Sequence, residues 1–260
     1  MDAFFHSARS KTGTKMNSTF FTEAYAQLTV ADLEAYHRAV FLNMEGELAA
    51  QKRVEYYRGV LRHVGQNVTI GGSVRFVNPQ WISLGDNVQV HDRCTLIAQS
   101  EKGITLAEGA RLKHGVYLDT ESATTGYITI GKRVYIGTGC CLHGHSGLEI
   151  GDDSLLAQNI TITPYSHKFA DPQKIIYAQG GHQRKVTIGR DCYIGMNVSV
   201  LWSADIGDGA VIGAGSVVVQ PIPPYAVAVG VPARVVKKRG ETVVADSKLP
   251  SSRTAVPPVY

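Results

Sequence analysis

The 260-residue sequence predicts an all-β fold: a parallel β-helix in the form of a triangular prism of about seven coils, with a short α-helical N-terminal cap. Three observations carry that prediction. Apolar residues recur every six positions, the hexads group in threes, and extra residues enter only after each third hexad. A period of six fits neither an amphipathic helix nor a long alternating strand, whereas a fixed internal period marks a coiled repeat.

The chain begins MDAFFHSARSKTGTKMN, without the apolar core of a signal peptide. Residues 1–18 are read as a flexible N-terminus. Thr29-Val30-Ala31-Asp32 has the form of a helix capping box with Asp in place of Glu. Leu33, Tyr36, Val40, Phe41 and Met44 then keep one helical face. A second helix is expected over about 47–62. Residues 19–63 would thus form a helical cap over a prism end that otherwise exposes strand edges.

Coils start at Val64, Leu84, Leu106, Ile130, Ile150, Ile188 and Ile206, and three hexads in each give 21 leading positions. All 21 are Val, Ile or Leu except Phe76, against a background of 44 % hydrophobic residues. The fifth position of each hexad is mostly Val, Ala, Ser or Cys, with Gln80, Ile160 and Ile222 as exceptions. Each hexad therefore reads as one short strand and one corner. Its leading and fifth residues point inward and its sixth outward, because strand side chains alternate. Gly189, Gly195, Gly207 and Gly213 follow leading residues, where a tight corner favours glycine. One coil cannot bury its own face, so stacking makes the core. Cys94, Cys140 and Cys192 fall on the small inward position and read as buried reduced thiols. Cys141 points outward and has no assigned role.

The repeat carries insertions of 2, 4, 6, 2, 20 and 0 residues between successive coils. All decorate one edge of the prism, and such one-sided elaboration commonly marks a binding face. The longest, residues 168–187, reads KFADPQKIIYAQGGHQRKVT. His167 stands at its root, at an outward position. A final stretch, 240–260, is read as a flexible tail.

The stretches IGDDSLLAQNITITPYSHKF, IGRDCYIGMNVSVL, IGDGAVIGAGSVV and IPPYAVAVGVPARVVKK occur in that order. Over about residues 64–239 the chain resembles the hexapeptide-repeat acyltransferases, especially galactoside, maltose and exopolysaccharide O-acetyltransferases. The resemblance implies a left-handed β-helix, a known exception to right-handed crossovers. It also implies acetyl-CoA as co-substrate, a saccharide acceptor, no metal, and a homotrimer with active sites between neighbouring prisms. His167 takes the position of the family's general base. Ala214 in IGAGS takes a CoA-contacting position, and Gly195 lies where the cofactor passes close to the backbone. Arg234 and Lys237 match basic positions that hold CoA phosphates. There are departures: Tyr193 replaces a frequent Trp, and Val219-Gln220-Pro221 stands where TKD is common. Gly137 replaces the Asn of galactoside enzymes, and His145 lies close to where they have an Asp. His143, His145 and Tyr165 lie on or beside the elaborated edge and are candidate acceptor contacts. Trp202 replaces a usual small corner residue and is expected to pack on a neighbouring subunit or on pantetheine.

The chemistry suits such a site. A neutral imidazole, with an ordinary pKa of about 6.5, can take the proton from a hydroxyl attacking a thioester. The function expected is therefore acetyl-CoA-dependent O-acetyl transfer to a sugar hydroxyl, in surface polysaccharide biosynthesis. N-acetyl transfer to an amino-sugar nucleotide, or a silent scaffold or sugar-binding module on the same prism, are the alternatives. A γ-type carbonic anhydrase would need three zinc-binding histidines; His143, His145 and His167 are the cluster at hand, but their spacing is unlike that family's. The net charge of +4 suggests no nucleic-acid partner, and no apolar stretch approaches a membrane span, so the cytoplasm is the expected compartment. Four cysteines without a CxxC pair suggest neither disulfides nor a zinc knuckle.

Overall fold

A computed structural model gives the architecture and describes residues 29–241. The expectations for 1–18, for 19–28 of the cap and for 242–260 lie outside the described residues. Short parallel strands stack into three faces of a β-solenoid, visited in turn by every coil. On the first face all seven coil starts form one column. Val64 pairs with Leu84, Leu84 with Leu106, Leu106 with Ile130, Ile130 with Ile150 and Ile150 with Ile188. Isolated bridges carry the column on to Ile206 and then Ile222.

The inward pattern holds wherever the corner is plain. All leading residues are buried except Val64 and Phe76, which are partly buried in the first coil and pack against the core. Fifth positions of the first two hexads are buried in every coil, including Cys94, Cys140 and Cys192. The third hexads depart from the expectation. Gln80 is exposed, and Ser122, Ser146 and Ser166 are half-buried, because the chain leaves the hexad path there to enter an insertion. Ile222 is not a fifth-position exception; its bridge to Ile206 makes it the lead of an eighth, partial coil. That coil continues through Ala226–Val229 into an antiparallel strand, Arg234–Lys238.

Corners are locked by carboxylates. Asp86 Oδ1 accepts the Gln66 N–H at 2.7 Å, Asp152 Oδ1 the Lys132 N–H at 2.7 Å, and Asp208 Oδ1 the Arg190 N–H at 2.9 Å. Each ties one coil to the corner below it and satisfies a donor the ladder leaves free.

Helix α1 spans Val30–Asn43 and helix α2 spans Glu47–Arg58. The capping box forms as expected: Thr29 Oγ1 accepts from Asp32 N at 3.2 Å, and Asp32 Oδ2 accepts from Thr29 N at 2.9 Å. The expected apolar face of α1 is corrected at two positions. Tyr36 and Met44 are 46 % and 52 % exposed, while Leu42 packs on the core. Helix α2 ends at Arg58 rather than about 62, where Gly59 closes it.

The cap does more than cover apolar surface. The open rim of the first coil presents carbonyls that have no strand to accept from, and α2 supplies donors. Arg53, only 4 % exposed, donates from Nε to Ile70 O at 2.8 Å and from Nη1 to Phe41 O at 2.9 Å and Met44 O at 2.6 Å. Tyr57 Oη donates to Val74 O at 3.2 Å, and Arg58 Nη2 to Gly65 O at 3.2 Å. An exposed sheet edge invites further strand pairing; these bonds blunt it.

Candidate active site

The insertion edge joins the third face to the first. The longest insertion is a β-hairpin arm rather than an irregular loop. Tyr165–His167 pairs antiparallel with Gly181–Gln183, and His167 lies opposite Gly181. The arm therefore leaves the prism at Tyr165, not at residue 168, and His167 is carried on its first strand. Gly181 is required there, because a side chain would run into the Tyr165 ring. Gln179 staples the outer loop, accepting from Asp171 N at 3.0 Å and donating to Asp171 O and Lys174 O at 2.9 Å each. Arg184 pairs with Asp205 and pins the returning strand to the next coil.

Rings line this edge in a row. Tyr117 and His143 have centroids 6.1 Å apart, His143 and His145 6.0 Å, His145 and Tyr165 4.8 Å in a stack, and Tyr165 and His167 4.9 Å edge-on. His143, His145, Tyr165 and His167, all singled out from sequence, are thus brought together. They do not share a role. His143 is tied on both nitrogens, with Nδ1 2.8 Å from Glu121 Oε1 and Nε2 3.2 Å from Cys141 Sγ. His145 has a buried Nδ1 with no partner among the described residues, and burial holds its pKa below the ordinary histidine value. His167 is exposed. Tyr165 stands between His145 and His167, so the three imidazoles do not converge on one point.

His167 opens onto a cavity of about 650 Å³ under the arm, whose other walls include Lys168, Phe169, Asp171, His182 and Trp202. His182 and Trp202 stack at 5.2 Å and 14°. Trp202 thus packs on its own arm through His182 and remains partly exposed to the cavity. The sequence reading missed His182 altogether.

The residues read as donor contacts lie elsewhere, on the corner between the second and third faces and at the final strand. Gly195 N–H donates to Ile212 O at 2.8 Å, and a Cβ on Gly195 would sit 2.6 Å from Ala214 N. Gly195 is buried, so coil stacking accounts for its being glycine. Ala214 and Gly215 are the exposed backbone of that corner, and Tyr193, Met196 and Val229 are large apolar side chains exposed near it in sequence and sheet order. Arg234 and Lys237 lie on the closing strand. Arg234 is exposed and touches Ala233 O at 2.8 Å, and Lys237 has no ion-pair partner among the described residues. The chain does not bring these four to His167 within one copy: the insertion edge and this corner are different edges of the prism.

The family described as the hexapeptide repeat of succinyl-transferase matches residues 127–164 and 185–220. A Mycobacterium tuberculosis protein described as a probable acetyltransferase is 35 % identical over 170 residues, which are 64 % of this chain and 54 % of that one. Galactoside O-acetyltransferase of Escherichia coli is 34 % identical over 152 residues, 58 % of this chain and 70 % of that one. Serine acetyltransferase of Escherichia coli is 31 % identical over 126 residues, 47 % of this chain and 43 % of that one. The chain thus spans about half the length of two of these three curated relatives. Among solved structures, an N-acyltransferase of Bacillus cereus in complex with dTDP and coenzyme A aligns with a TM-score of 0.52 at 23 % identity, over 76 % of this chain and 91 % of that one. That likeness is one of fold.

Proposed function

Because the chain belongs to the hexapeptide-repeat acetyltransferase family, we propose that it transfers acetyl from acetyl-CoA to a sugar hydroxyl, with His167 as general base. The observation that carries this reading is the exposed imidazole of His167 at the root of an arm that walls a cavity of about 650 Å³. The acceptor hydroxyl gives its proton to His167 as its oxygen attacks the thioester carbon. The tetrahedral intermediate collapses, the C–S bond breaks, and the CoA sulfur takes the proton back from the imidazolium. Such base assistance contributes roughly 10²–10⁴ in rate. His145, Tyr165, His182 and Trp202 offer ring faces beside His167, the kind of surface on which a sugar packs. His143, committed to Glu121 and Cys141, is the weakest of the acceptor contacts.

On the donor side, Ala214 and Gly215 offer an open backbone corner, with Gly195 beneath, while Arg234 and Lys237 suit phosphate. Since that corner and His167 are on different edges, one copy's donor corner would meet a neighbour's His167. This supports a homotrimer with shared sites. Two relatives with named acceptors are a galactoside O-acetyltransferase and a serine acetyltransferase, the first acting at oxygen by name. That favours an ester over an amide product, and a surface polysaccharide remains our proposed destination. Among the described residues no helix is long and apolar enough to cross a membrane.

Two experiments test the reading. The acetylated product should release its acetyl group to hydroxylamine, as an ester does; a resistant product would mean transfer to nitrogen. Mixing His167→Ala with a donor-corner variant, Ala214→Trp, and re-assembling the two should restore turnover, since hybrids contain some sites with both halves intact. Hybrids as inactive as their parents would sink the shared-site arrangement.

A further inference from the structure

The insertion edge carries a second cluster of reactive groups that the His167 chemistry does not use. Cys141 and His143 are two apart on one strand, Cys141–His143, and therefore share its outer face. Glu121 comes from the third hexad one coil earlier, where the chain turns off strand Tyr117–Asp119. Its backbone is held at φ 59° and its N–H donates to Asp119 Oδ1 at 2.8 Å, which turns the side chain back over His143. Glu121 Oε1 lies 2.8 Å from His143 Nδ1, and His143 Nε2 lies 3.2 Å from Cys141 Sγ. A carboxylate accepting from Nδ1–H leaves Nε2 as the acceptor for the thiol proton. A nucleophile, a base and a group that orients the base, in hydrogen-bonded sequence, is the arrangement that activates a thiol.

We propose that Cys141 is a nucleophilic thiol that becomes S-acylated by a thioester, with His143 as its base and Glu121 orienting that base. The identity of the natural donor rests on the acetyl-CoA reading above; the reactivity of the thiol does not. In the step proposed, the S–H proton passes to His143 Nε2 and the sulfur attacks the thioester carbonyl carbon. A new C–S bond forms to Cys141, the donor's C–S bond breaks, and the departing thiolate takes the proton from the imidazolium. One thioester replaces another, so no oxidant or energy source is needed.

The surroundings fit a reactive rather than an inert thiol. The other three cysteines are 0–2 % exposed, and burial pushes the Cys94 and Cys140 thiols up to about 11. Cys141 is half-buried, and the side chains of His143 and Glu121 are 22 % and 34 % exposed, so a small donor can reach the group. His143 has its pKa raised, chiefly by its bond to Cys141 and against the effect of burial, with Glu121 adding to the rise. The charged and titratable groups facing it are Tyr117 and Asp119 on the neighbouring strand, Glu121, and His145. Tyr117 Oη is already bonded to Asp119 Oδ2 at 2.8 Å, so Glu121 is the carboxylate that serves the imidazole. His145 and Tyr165 stand between this cluster and His167, which makes it a separate site.

The test uses the full chain exposed briefly to acetyl-CoA and, in parallel, to S-acetyl-N-acetylcysteamine, a thioester without the nucleotide. After acid quenching, peptide mapping by mass spectrometry locates the acetyl group. Label is expected on Cys141 alone among the four cysteines, absent in Cys141→Ser, and formed at least ~10²-fold more slowly in His143→Gln. Glu121→Gln should give an intermediate loss and shift the pH dependence of Cys141 alkylation by iodoacetamide, a readout that a merely structural glutamate would leave unmoved. Labelling by the small thioester but not by acetyl-CoA supports the thiol and counts against the donor reading. No label from either thioester, or equal rates in wild type and His143→Gln, overturns the proposal.

Discussion

Replacing His167 by alanine is expected to lower turnover by roughly 10²–10⁴-fold while CoA affinity stays within about twofold. The split follows from geometry. His167 is exposed on the first strand of the arm, and Ala214, Arg234 and Lys237 belong to other edges of the prism. Truncating an exposed ring opens no core cavity, so the fold should survive; the hairpin pairing of His167 with Gly181 is made by backbone. Steady-state kinetics beside calorimetric CoA titration reads both quantities. A loss confined to KM would make His167 a binding group rather than a base.

The second large effect is expected far from the site. Arg53→Met should destabilise the cap by about 2–5 kcal/mol, because it leaves Ile70 O, Phe41 O and Met44 O without their donor. Methionine keeps much of the apolar bulk, so the loss reports the hydrogen bonds rather than a cavity. Arg53→Lys should rescue poorly, since a single ammonium cannot reproduce a planar fork that serves three carbonyls. In a stacked repeat each coil contacts only its neighbours, so the damage should be local first. Hydrogen exchange is expected to quicken in α1, α2 and the first coil before later coils respond. Uniform loss across all coils would contradict this view of the cap.

Much of the prism was legible because its periodicity is a packing requirement. A residue every six positions that must fill the same column leaves a trace in sequence, and all seven coil starts fall in one column. Legibility failed where the path stops repeating. Ser122, Ser146 and Ser166 obey the spacing but sit where the chain is leaving for an insertion. At Gly195 the packing reason lies a coil away, since a Cβ there would meet the backbone of Ala214. No local pattern marks Arg53, whose burial depends on carbonyls from two places, the rim of the first coil at Ile70 and the end of α1 at Phe41 and Met44.

The site shows the same division. His167 stood out because it precedes a break in the repeat. His182 did not, since its place opposite Ser166 depends on a hairpin register that no local pattern announces. The two-residue spacing of Cys141 and His143 on an outward strand face was readable in principle. Their partner Glu121 comes from a different coil, and the alignment of His143 with Asp119 had to be known first.

The measurement that bears most directly on the account is thiol release from acetyl-CoA across mono-, oligo- and nucleotide-linked sugars, with CoA binding measured on the same protein. The account predicts saturable CoA binding and turnover that one class of sugar hydroxyl drives and His167→Ala abolishes. A protein that binds no CoA, or a His167→Ala variant that turns over as fast as wild type, would contradict it.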